Sequence, residues 1–257
     1  MIGYGEAAIL GLLQGLTEFL PVSSSGHLVL AQTILGINEP MLIFDTFLHL
    51  GTLIAVLVVF WRDIWQIIRH PISKQFALFV VATIPVGIMG LLLENIFEAH
   101  LMTVFSVCLA LIVTGILLWI SDRFHGNKTI KDLSFKNALL IGAFQGVAVI
   151  PGLSRSGSTI FGSLFCGLDR QNAAKFSFIL SIPAILGACG KQLIDLASSP
   201  AGLSMEFSYI IGVAVAAVAG YLAIRFFIRL ISKGKLKYFS IYCWLIAVIG
   251  LINLAVK

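Results

Sequence analysis

Charged residues are scarce in this sequence, and their scarcity decides the class of protein. Aspartate, glutamate, lysine and arginine make up 11% of the 257 residues, whereas hydrophobic residues make up 59% and the mean hydropathy is +1.02. Soluble globular domains carry about 25% charged residues. The composition therefore excludes an ordinary soluble domain and predicts an integral membrane protein, with the lipid bilayer as a partner and no nucleic acid.

The sequence also lacks a disulfide pattern and a cleavable leader. The four cysteines lie inside apolar runs without a CxxC pair or disulfide-framework spacing, so we expect them to be buried with free thiols. No basic segment followed by a short apolar core and a small-residue cleavage site precedes the first apolar segment. We therefore expect no cleaved signal peptide, with Met1 kept in the mature chain. The cysteines are Cys108, Cys166, Cys189 and Cys243.

Six apolar segments are long enough to span a bilayer as helices. Crossing about 30 Å of hydrocarbon at about 1.5 Å per residue takes roughly 20 residues. The sequence therefore predicts an all-α, polytopic membrane protein with about six transmembrane helices. The candidate spans are residues 41–61, 76–93, 102–120, 173–190, 207–228 and 239–255.

Four further apolar segments are too short to cross the bilayer, and they come in two pairs. Residues 7–20 would reach only about 21 Å as a helix before Pro21 and a run of serines interrupt it, and residues 28–35 follow. Residues 135–150 and 160–168 flank a second polar interruption. This pattern predicts two re-entrant helical hairpins, whereas counting the short arms as spans gives an eight- or ten-segment alternative.

The two polar interruptions share a sequence motif. QGLTEFLPVSSSGH at residues 14–27 is repeated 131 residues later as QGVAVIPGLSRSGS at residues 145–158, and the upstream segments ILGLLQG and LIGAFQG also match without a gap. Such a repeat indicates one gene half used twice, so we expect a single transmembrane domain made of two repeats, about residues 1–122 and 132–257. The matched pairs include Gln14 and Gln145, Gly15 and Gly146, Ser23 and Ser154, Ser25 and Ser156, and Gly26 and Gly157.

Lysine and arginine are concentrated in alternate loops. Short cytoplasmic loops collect these residues, so the loops after the first, third and fifth spans are expected inside the cell and both termini outside. The opposite segments carry little positive charge: residues 94–100 have no lysine or arginine, and Lys191 and Lys257 are the only two in the others. The positive loops contain Arg62, Arg69, Lys74, Arg123, Lys128, Lys131, Lys136, Arg225, Arg229, Lys233, Lys235 and Lys237.

Three spans in each half invert the second half relative to the first, because three is an odd number. The two hairpins then enter from opposite faces, and their broken tips meet inside the bundle, where transporters with inverted repeats bind their substrates. Non-helical backbone persists at that depth only when it is buried in protein or faces water. We therefore expect the tips to line a polar cavity.

The residues at the two tips suit a phosphate ligand. Arg155 stands between two serines, and its guanidinium group matches phosphate oxygens in a bidentate way. The backbone N–H groups of residues 152–157 and 24–26 add anion-binding positions at helix N-termini. Glu18 is either a structural ion-pair partner of Arg155 or a functional group, as a cation ligand or as a base. Gln14 lies one turn earlier and supports either role.

The serines of the first tip have two interpretations. Serine commonly caps a helix, and one at least of Ser23, Ser24 and Ser25 is expected to do so. A hydroxyl within a turn of His27 and near Glu18 also has what a covalent phosphoryl-transfer route needs, a nucleophile and a nearby base. Direct attack by a bound water is the competing mechanism. The residues expected to bind the substrate are Arg155, Ser23, Ser25, Ser154, Ser156 and Gly157.

One further pair of polar residues lies on the first full span. Asp45 and His49 are four residues apart, so they share a helix face and are candidates for the same cavity. Water at the outer membrane interface would satisfy Asp45 equally well. Their functional role is therefore a weaker expectation than that of the two tips.

The two motifs QGLTEFLPVSSSGH and PGLSRSGST resemble the signatures of the bacitracin-resistance type of undecaprenyl-diphosphatase, and the resemblance covers essentially the whole chain. The family removes one phosphate from the C55 lipid carrier of cell-wall synthesis in the bacterial cytoplasmic (inner) membrane. The resemblance implies that Ser24 is the nucleophile and that His27 belongs to the catalytic set. It also implies a divalent cation, Mg²⁺ or Ca²⁺, near Glu18 and Gln14. The family pattern (E/Q)xxxE is met here by Gln14 and Glu18, which offers one carboxylate instead of two.

Other classes of function compete with a hydrolase of polyprenyl diphosphate. Inverted repeats with paired broken hairpins are a transporter architecture, so a lipid or small-anion carrier is the alternative. A transporter needs Arg155 but has no need for Ser24 beside a base. A purely structural scaffold leaves Arg155 and Glu18 unexplained. An enzyme that also carries its product across the bilayer, and a homodimer as the oligomeric state, both stay open.

Overall fold

The computed structural model describes residues 2–37, 41–100, 103–197, 206–233 and 235–256. Side chains are described for all of these except residues 93–100, 196–197 and 256. Three residues named in the predictions above, Met1, Met102 and Lys257, lie outside the described residues. The side chains of residues 94–100 lie outside them as well.

The described residues form eleven α-helices and one short 3₁₀ helix, Ile130–Asp132, and no β-strand occurs among them. The predicted all-α class is therefore confirmed. The helices are α1 (Tyr4–Phe19), α2 (Ser24–Ile34), α3 (Leu42–Val59), α4 (Trp61–Arg69), α5 (Lys74–His100), α6 (Val104–Ser121), α7 (Phe135–Val147), α8 (Arg155–Phe165), α9 (Arg170–Ala197), α10 (Phe207–Ile231) and α11 (Leu236–Val256).

Six of these helices, α3, α5, α6, α9, α10 and α11, are long and apolar enough to cross a membrane. Each coincides with one of the six predicted spans, with ends that differ by a few residues. The largest differences are in α5, which continues to His100 beyond the predicted end at residue 93, and in α9, which continues to Ala197 beyond the predicted end at residue 190. The expectation of about six transmembrane helices is confirmed by length and composition.

The short apolar segments form two broken helix pairs, α1 with α2 and α7 with α8. Pro21 disfavours helical backbone in the residue before it, and α1 ends at Phe19. The second helix of each pair begins after a capping serine: Ser23 accepts a hydrogen bond from the N–H of Gly26 at 3.2 Å, and Ser154 accepts one from Gly157 at 3.1 Å. That these pairs enter the membrane as re-entrant hairpins stays a prediction.

The first helix of each pair packs closely and in parallel on a long helix of the other half. Gly11 and Gly15 of α1 face Gly212 and Ala216 of α10, and a Cβ atom built on Gly15 would lie 2.6 Å from the Ala216 carbonyl oxygen. Two helix backbones can approach this closely only where small residues line the contact. In the second half, the equivalent glycines of α7 face α5, and these are Gly142 and Gly146.

The lysine- and arginine-rich loops meet at one end of the bundle. Lys74 Nζ donates to the carbonyl oxygen of Lys131 at 2.9 Å, which joins the first positive loop to the second. Asp122 then joins the second loop to the third, because its carboxylate accepts the N–H groups of Leu236 at 3.2 Å and Lys237 at 3.3 Å. Asp122 also pairs with Arg170 at 3.0 Å.

The two helix pairs open toward opposite ends of the bundle. Helix α10 begins at the end away from the positive loops, and α1 begins beside it, with the Tyr4 and Phe207 rings 6.1 Å apart. Helix α5 begins at Lys74 in a positive loop, and α7 runs parallel to α5. This opposed arrangement is the one expected of inverted repeats, whose assignment to residues 1–122 and 132–257 stays a prediction.

Buried aromatic rings hold the tip of the first helix pair in the core. Phe19, the last residue of α1, is fully buried and its ring meets Phe178 of α9 edge to face at 5.5 Å. Phe178 in turn contacts Phe227 of α10 at 5.8 Å. Such pairs add about 0.5–1.5 kcal/mol to the burial of apolar area. The neighbouring Glu18 is thereby held deep in the bundle.

The four cysteines are buried with free thiols, as expected.

The close contact between α1 and α10 can be tested with one methyl group. We expect Gly15→Ala to destabilise the fold by about 1–3 kcal/mol, because its Cβ would overlap the Ala216 carbonyl and the Ala219 side chain. Gly5→Ala on the same helix is the control, since no atom lies within 4 Å of its added Cβ. The thermal unfolding midpoint of the detergent-solubilised protein is the measurement. Equal midpoints for the two variants would contradict the close contact.

Candidate active site

Each helix pair is interrupted at a helix break, which runs from the end of the first helix to the first turn of the second. The first break is residues 18–27 and the second is residues 149–158. The two breaks lie against each other and are joined by serines at matching positions of the repeat. Ser25 of the first break accepts the N–H of Gly152 in the second break at 3.3 Å. Ser156 of the second break donates its hydroxyl to the carbonyl oxygen of Leu20 in the first at 3.1 Å. Because backbone groups at this depth need partners, these bonds satisfy part of the non-helical chain and connect the tips.

Glu18 lies at the junction of the two breaks. Its side chain is only 3% exposed, and its carboxylate accepts three hydrogen bonds. Arg155 Nη2 donates at 2.5 Å, Gln14 Nε2 donates at 2.9 Å, and the hydroxyl of Ser24 donates to the oxygen that Gln14 contacts. The structural ion pair considered from the sequence is therefore present, and the same carboxylate also contacts the candidate nucleophile.

Ser24, the candidate nucleophile, is in direct contact with the Glu18 carboxylate. It is the first residue of α2 and is partly exposed. Its hydrogen bond to Glu18 gives the hydroxyl proton an acceptor, which is the arrangement that activates a serine. Arg155, with a side chain 20% exposed, begins α8 next to the same carboxylate.

Two helix N-termini point toward this junction. Helices α2 and α8 have eleven residues each and begin at Ser24 and Arg155. The N-terminus of a helix carries a partial positive charge, which favours bound anions. Together with the guanidinium group of Arg155, these termini give the junction positive charge of the kind that suits a phosphate group.

His27 lies near the junction, but its ring nitrogens contact Ser23 and Tyr242 and not the Ser24 hydroxyl. Its Nδ1 atom is 2.7 Å from the Ser23 carbonyl oxygen, and its Nε2 atom is 2.8 Å from the hydroxyl of Tyr242 on α11. The sequence placed His27 near Ser24 and Glu18, and the structure keeps it near them in space while directing both ring nitrogens elsewhere. Tyr242 was not identified from the sequence, because it lies in an apolar span without a motif.

His49 lies beside Glu18, at the junction of the two breaks. Its Nε2 atom is 3.8 Å from Glu18 Oε2, and its Nδ1 atom is 2.7 Å from the carbonyl oxygen of Asp45. The Asp45 carboxylate instead accepts from Gln32 at 3.0 and 3.3 Å. Of the pair on α3, His49 therefore faces Glu18, and Asp45 is engaged by the end of α2.

The remaining serines predicted to bind the substrate are buried and make local contacts. Ser23 and Ser154 cap α2 and α8, and each lies near a second serine, Ser25 at 3.3 Å and Ser156 at 3.2 Å. The Ser154 N–H donates to Thr114 at 3.0 Å. Gly157 contributes its N–H to the cap of α8. Their role in substrate binding stays a prediction.

The oxygen atoms of Gln14 and Glu18 fit a loosely held divalent cation. Gln14 Oε1 is buried without a hydrogen-bond partner, so its lone pairs are free for a ligand. Glu18 supplies a carboxylate, the preferred ligand of Mg²⁺ and Ca²⁺. Among the described residues no group of three or more His, Cys, Asp and Glu side chains surrounds such a position. A cation here would need phosphate and water oxygens to complete its coordination.

An apolar cavity of about 280 Å³ opens beside His27. It lies between α2 and α11 and is bounded by Leu30 and Ile34 on one side and by Ile246 and Ile249 on the other. The cavity therefore leads from the outer surface of the bundle to the helix that carries Ser24.

Comparison with known proteins gives consistent matches over almost the full length. Residues 7–249 match the family described as "Bacitracin resistance protein BacA". An undecaprenyl-diphosphatase from Halothermothrix orenii is 46% identical over 96% of each chain. Proteins of the same name from Carboxydothermus hydrogenoformans and Methanosphaera stadtmanae are 43% and 42% identical. The alignments cover 95% of this chain and 94% of the Carboxydothermus hydrogenoformans protein, and 98% of each chain for Methanosphaera stadtmanae.

The length of these matches agrees with the positions of the two motifs. Both helix breaks, with Ser24 and Glu18 in the first and Arg155 in the second, lie inside the matched range. The matched range also includes all six candidate spans except the last few residues of α11. The chain therefore belongs to the bacitracin resistance protein BacA family of membrane proteins.

Proposed function

We propose that this protein hydrolyses undecaprenyl diphosphate to undecaprenyl phosphate and inorganic phosphate. The activity recycles the lipid carrier of cell-wall synthesis and confers resistance to bacitracin. One observation carries the proposal: the Ser24 hydroxyl donates to Glu18, and the Arg155 guanidinium group lies on the same carboxylate. The relatives named undecaprenyl-diphosphatase, at 42–46% identity, support the same substrate.

The reaction proceeds through a phosphoserine. Ser24 Oγ attacks the terminal phosphorus atom, and its proton passes to Glu18 as the new O–P bond forms. The bond between the terminal phosphorus and the bridging oxygen breaks, and undecaprenyl phosphate leaves with the bonding electrons. Glu18 passes its proton to the leaving undecaprenyl phosphate. Water then attacks the phosphorus of the phosphoserine and gives one proton to Glu18. The bond between phosphorus and Ser24 Oγ breaks, Oγ takes the proton from Glu18, and inorganic phosphate leaves. Direct attack by water held at Glu18 is the competing route.

Arg155 has one role before the substrate arrives and another after it. In the free protein it neutralises buried Glu18, since an unpaired charge in the membrane interior is costly. A bound diphosphate competes for the same guanidinium group, whose planar fork suits phosphate oxygens. Sharing Arg155 with the substrate leaves Glu18 the better proton acceptor at the moment of attack. Positive charge at Arg155 also stabilises the charge that develops on the phosphoryl oxygens.

A divalent cation, Mg²⁺ or Ca²⁺, is part of the proposal, with Glu18 and Gln14 as its protein ligands. When bound, it would spread the negative charge of the diphosphate. The unpartnered oxygen of Gln14 supports this assignment.

We place the protein in the bacterial cytoplasmic membrane with both termini outside. The Lys- and Arg-rich loops gather at one end of the bundle, as expected of a cytoplasmic face. The first helix pair would then be a re-entrant hairpin from the outer side, and the second one from the inner side, each within its own inverted repeat. The proposed site lies within a single chain, so the proposal does not require a homodimer.

A lipid or small-anion carrier is the second candidate function. Two helix pairs that open toward opposite ends of the bundle, with an arginine between their tips, would suit alternating access. The Ser24 and Glu18 contact favours the hydrolase, because transport has no use for an activated hydroxyl. Wild-type protein that binds the lipid diphosphate in vesicles but releases no phosphate would favour the carrier.

Three substitutions test the reaction itself. We expect Ser24→Ala, Glu18→Gln and Arg155→Ala each to lower kcat for phosphate release from undecaprenyl diphosphate by at least about a hundredfold, because each removes a group used in the transition state. Ser232→Ala and Arg225→Ala change exposed residues of the same types and should retain wild-type rates. Phosphoserine trapped by acid quench during turnover would identify the covalent route. Full activity of Ser24→Ala would instead assign the attack to water.

Removal and return of the cation test its assignment. We expect chelation by EDTA to abolish turnover and added Mg²⁺ or Ca²⁺ to restore it. Gln14→Glu adds a second carboxylate, so the cation concentration for half-maximal rate should fall about tenfold. Gln66→Glu, which changes an exposed glutamine of α4, is the control. Turnover that is unaffected by EDTA would remove the cation from the proposal.

The cavity beside His27 is proposed to hold the first part of the polyprenyl tail. We expect Ile249→Trp to fill it and to raise KM for undecaprenyl diphosphate about tenfold, with little effect on a one-isoprene diphosphate. Ile252→Trp on the same helix does not line the cavity and is the control. Equal KM values for the two variants with the long substrate would show that the tail lies elsewhere.

A further inference from the structure

The residue just before the proposed nucleophile has an unusual backbone. Ser23 has φ 69° and ψ 97°, and no other non-glycine residue in the described part of the chain has a positive φ. An L-residue adopts this conformation at a cost in free energy, and it persists only when the surroundings hold it. Because Ser24 follows directly, the position of its Oγ atom depends on the Ser23 backbone.

His27 holds that backbone through the Ser23 carbonyl group. The backbone N–H of His27 donates to the Ser23 carbonyl oxygen at 3.2 Å, and the ring Nδ1 of His27 lies 2.7 Å from the same oxygen. A carbonyl oxygen only accepts hydrogen bonds, so Nδ1 must carry a proton. In the neutral ring Nε2 is then an acceptor, and the Tyr242 hydroxyl at 2.8 Å is its donor.

Helix α11 contacts both ends of the first break. The Tyr242 ring stacks on the His27 ring with a centroid distance of 5.6 Å and an interplanar angle of 2°. The next residue, Cys243, places its sulfur 3.7 Å from the Pro21 carbonyl oxygen. The break that carries Ser24 is therefore braced from a helix more than 200 residues away in sequence.

The second break has no equivalent of this arrangement. Ser154 stands in the place of Ser23 and has an ordinary φ of −71°. Ser158 stands in the place of His27, and its buried hydroxyl has no hydrogen-bond partner. Arg155 stands in the place of Ser24. The contact between His27 and Tyr242 therefore occurs at the break with the strained backbone and the proposed nucleophile. It has no counterpart at the second break, where Arg155 replaces the serine.

We propose that Tyr242 is a positioning residue for the phosphatase reaction. Its hydroxyl keeps His27 in the Nδ1–H tautomer, Nδ1–H holds the Ser23 carbonyl, and the held backbone keeps Ser24 Oγ on Glu18. This assignment rests on the proposed function for its effect on rate. It also gives His27 a different task from proton transfer, because neither ring nitrogen contacts Ser24 or Glu18.

Tyr242→Phe removes the hydroxyl and keeps the stacked ring. We expect kcat for phosphate release to fall about fivefold while KM stays within about twofold, because the hydrogen bond is lost and the substrate pocket is unchanged. Tyr238→Phe is the matched control, since Tyr238 lies one turn earlier on the same helix and faces Lys235 and Lys237. Equal kcat for the two variants would overturn the proposal.

Substitutions of His27 separate positioning from proton transfer. The amide nitrogen of asparagine can occupy the place of Nδ1 and donate to Ser23, whereas glutamine places its amide near Nε2. We expect His27→Asn to keep a kcat at least about fivefold above that of His27→Gln. Tyr242→Phe should cause no further loss in the His27→Asn protein, because its hydrogen-bond acceptor is already gone. Equal loss in both histidine variants, or an additive loss in the double variant, contradicts the proposal.

A spectroscopic measurement tests the same contact without turnover. Nitrogen NMR of labelled protein, with His27 assigned by comparison with His27→Asn, should show the Nδ1–H tautomer. The Nε2 resonance should move in Tyr242→Phe and stay in Tyr238→Phe. An Nε2–H tautomer would overturn the inference even in an active enzyme. A wild type that releases no phosphate but shows the expected tautomer would reject the proposed reaction and leave the structural assignment supported.

Discussion

The carboxylate of Glu18 is the group on which the rest of the site depends. It is buried in a protein surrounded by lipid, where an uncompensated charge costs several kcal/mol. Arg155 neutralises it from the other half of the chain, and Gln14 and Ser24 donate further hydrogen bonds. Compensation of the charge on this one carboxylate therefore brings together two helix breaks that are more than 100 residues apart in sequence. The same contacts bring the Ser24 hydroxyl and the Arg155 guanidinium group to one carboxylate.

The fold supplies that point by interrupting helices where lipid would otherwise require them to continue. Interrupted backbone needs partners for its N–H and C=O groups. Here the two interruptions satisfy each other through Ser25 with Gly152 and Ser156 with Leu20. Small residues let α1 and α7 approach long helices of the opposite half, so each tip is held by the half to which it does not belong. The halves are consequently interlocked instead of lying side by side.

The two repeats differ at the residues proposed to carry out the reaction. Ser23 and Ser154 cap the second helix of each pair. Ser25 and Ser156 each form a hydrogen bond to the backbone of the other break. The position after the cap is Ser24 in one half and Arg155 in the other, so the proposed nucleophile and the proposed phosphate-binding arginine come from different halves. His27 and Ser158 differ in the same way, and only the first half carries a strained backbone next to its functional residue. A duplicated motif has thus produced two complementary parts of one site.

The amino-acid sequence predicts the membrane class, the six spans and the two broken helix pairs, and it identifies Ser24, Glu18 and Arg155 as candidate site residues. These follow from local chemistry, because length and apolarity decide which segments can cross lipid, and proline and serine decide where a helix stops. The directions in which the side chains face depend instead on tertiary packing. His27 turns to Ser23 and Tyr242, and His49 approaches Glu18, because helices distant in sequence pack there. Such contacts depend on the packing of α3 and α11 around the breaks. The four-residue spacing of Asp45 and His49 indicates a shared face of α3, but nothing in the sequence of α11 indicates that Tyr242 contacts His27.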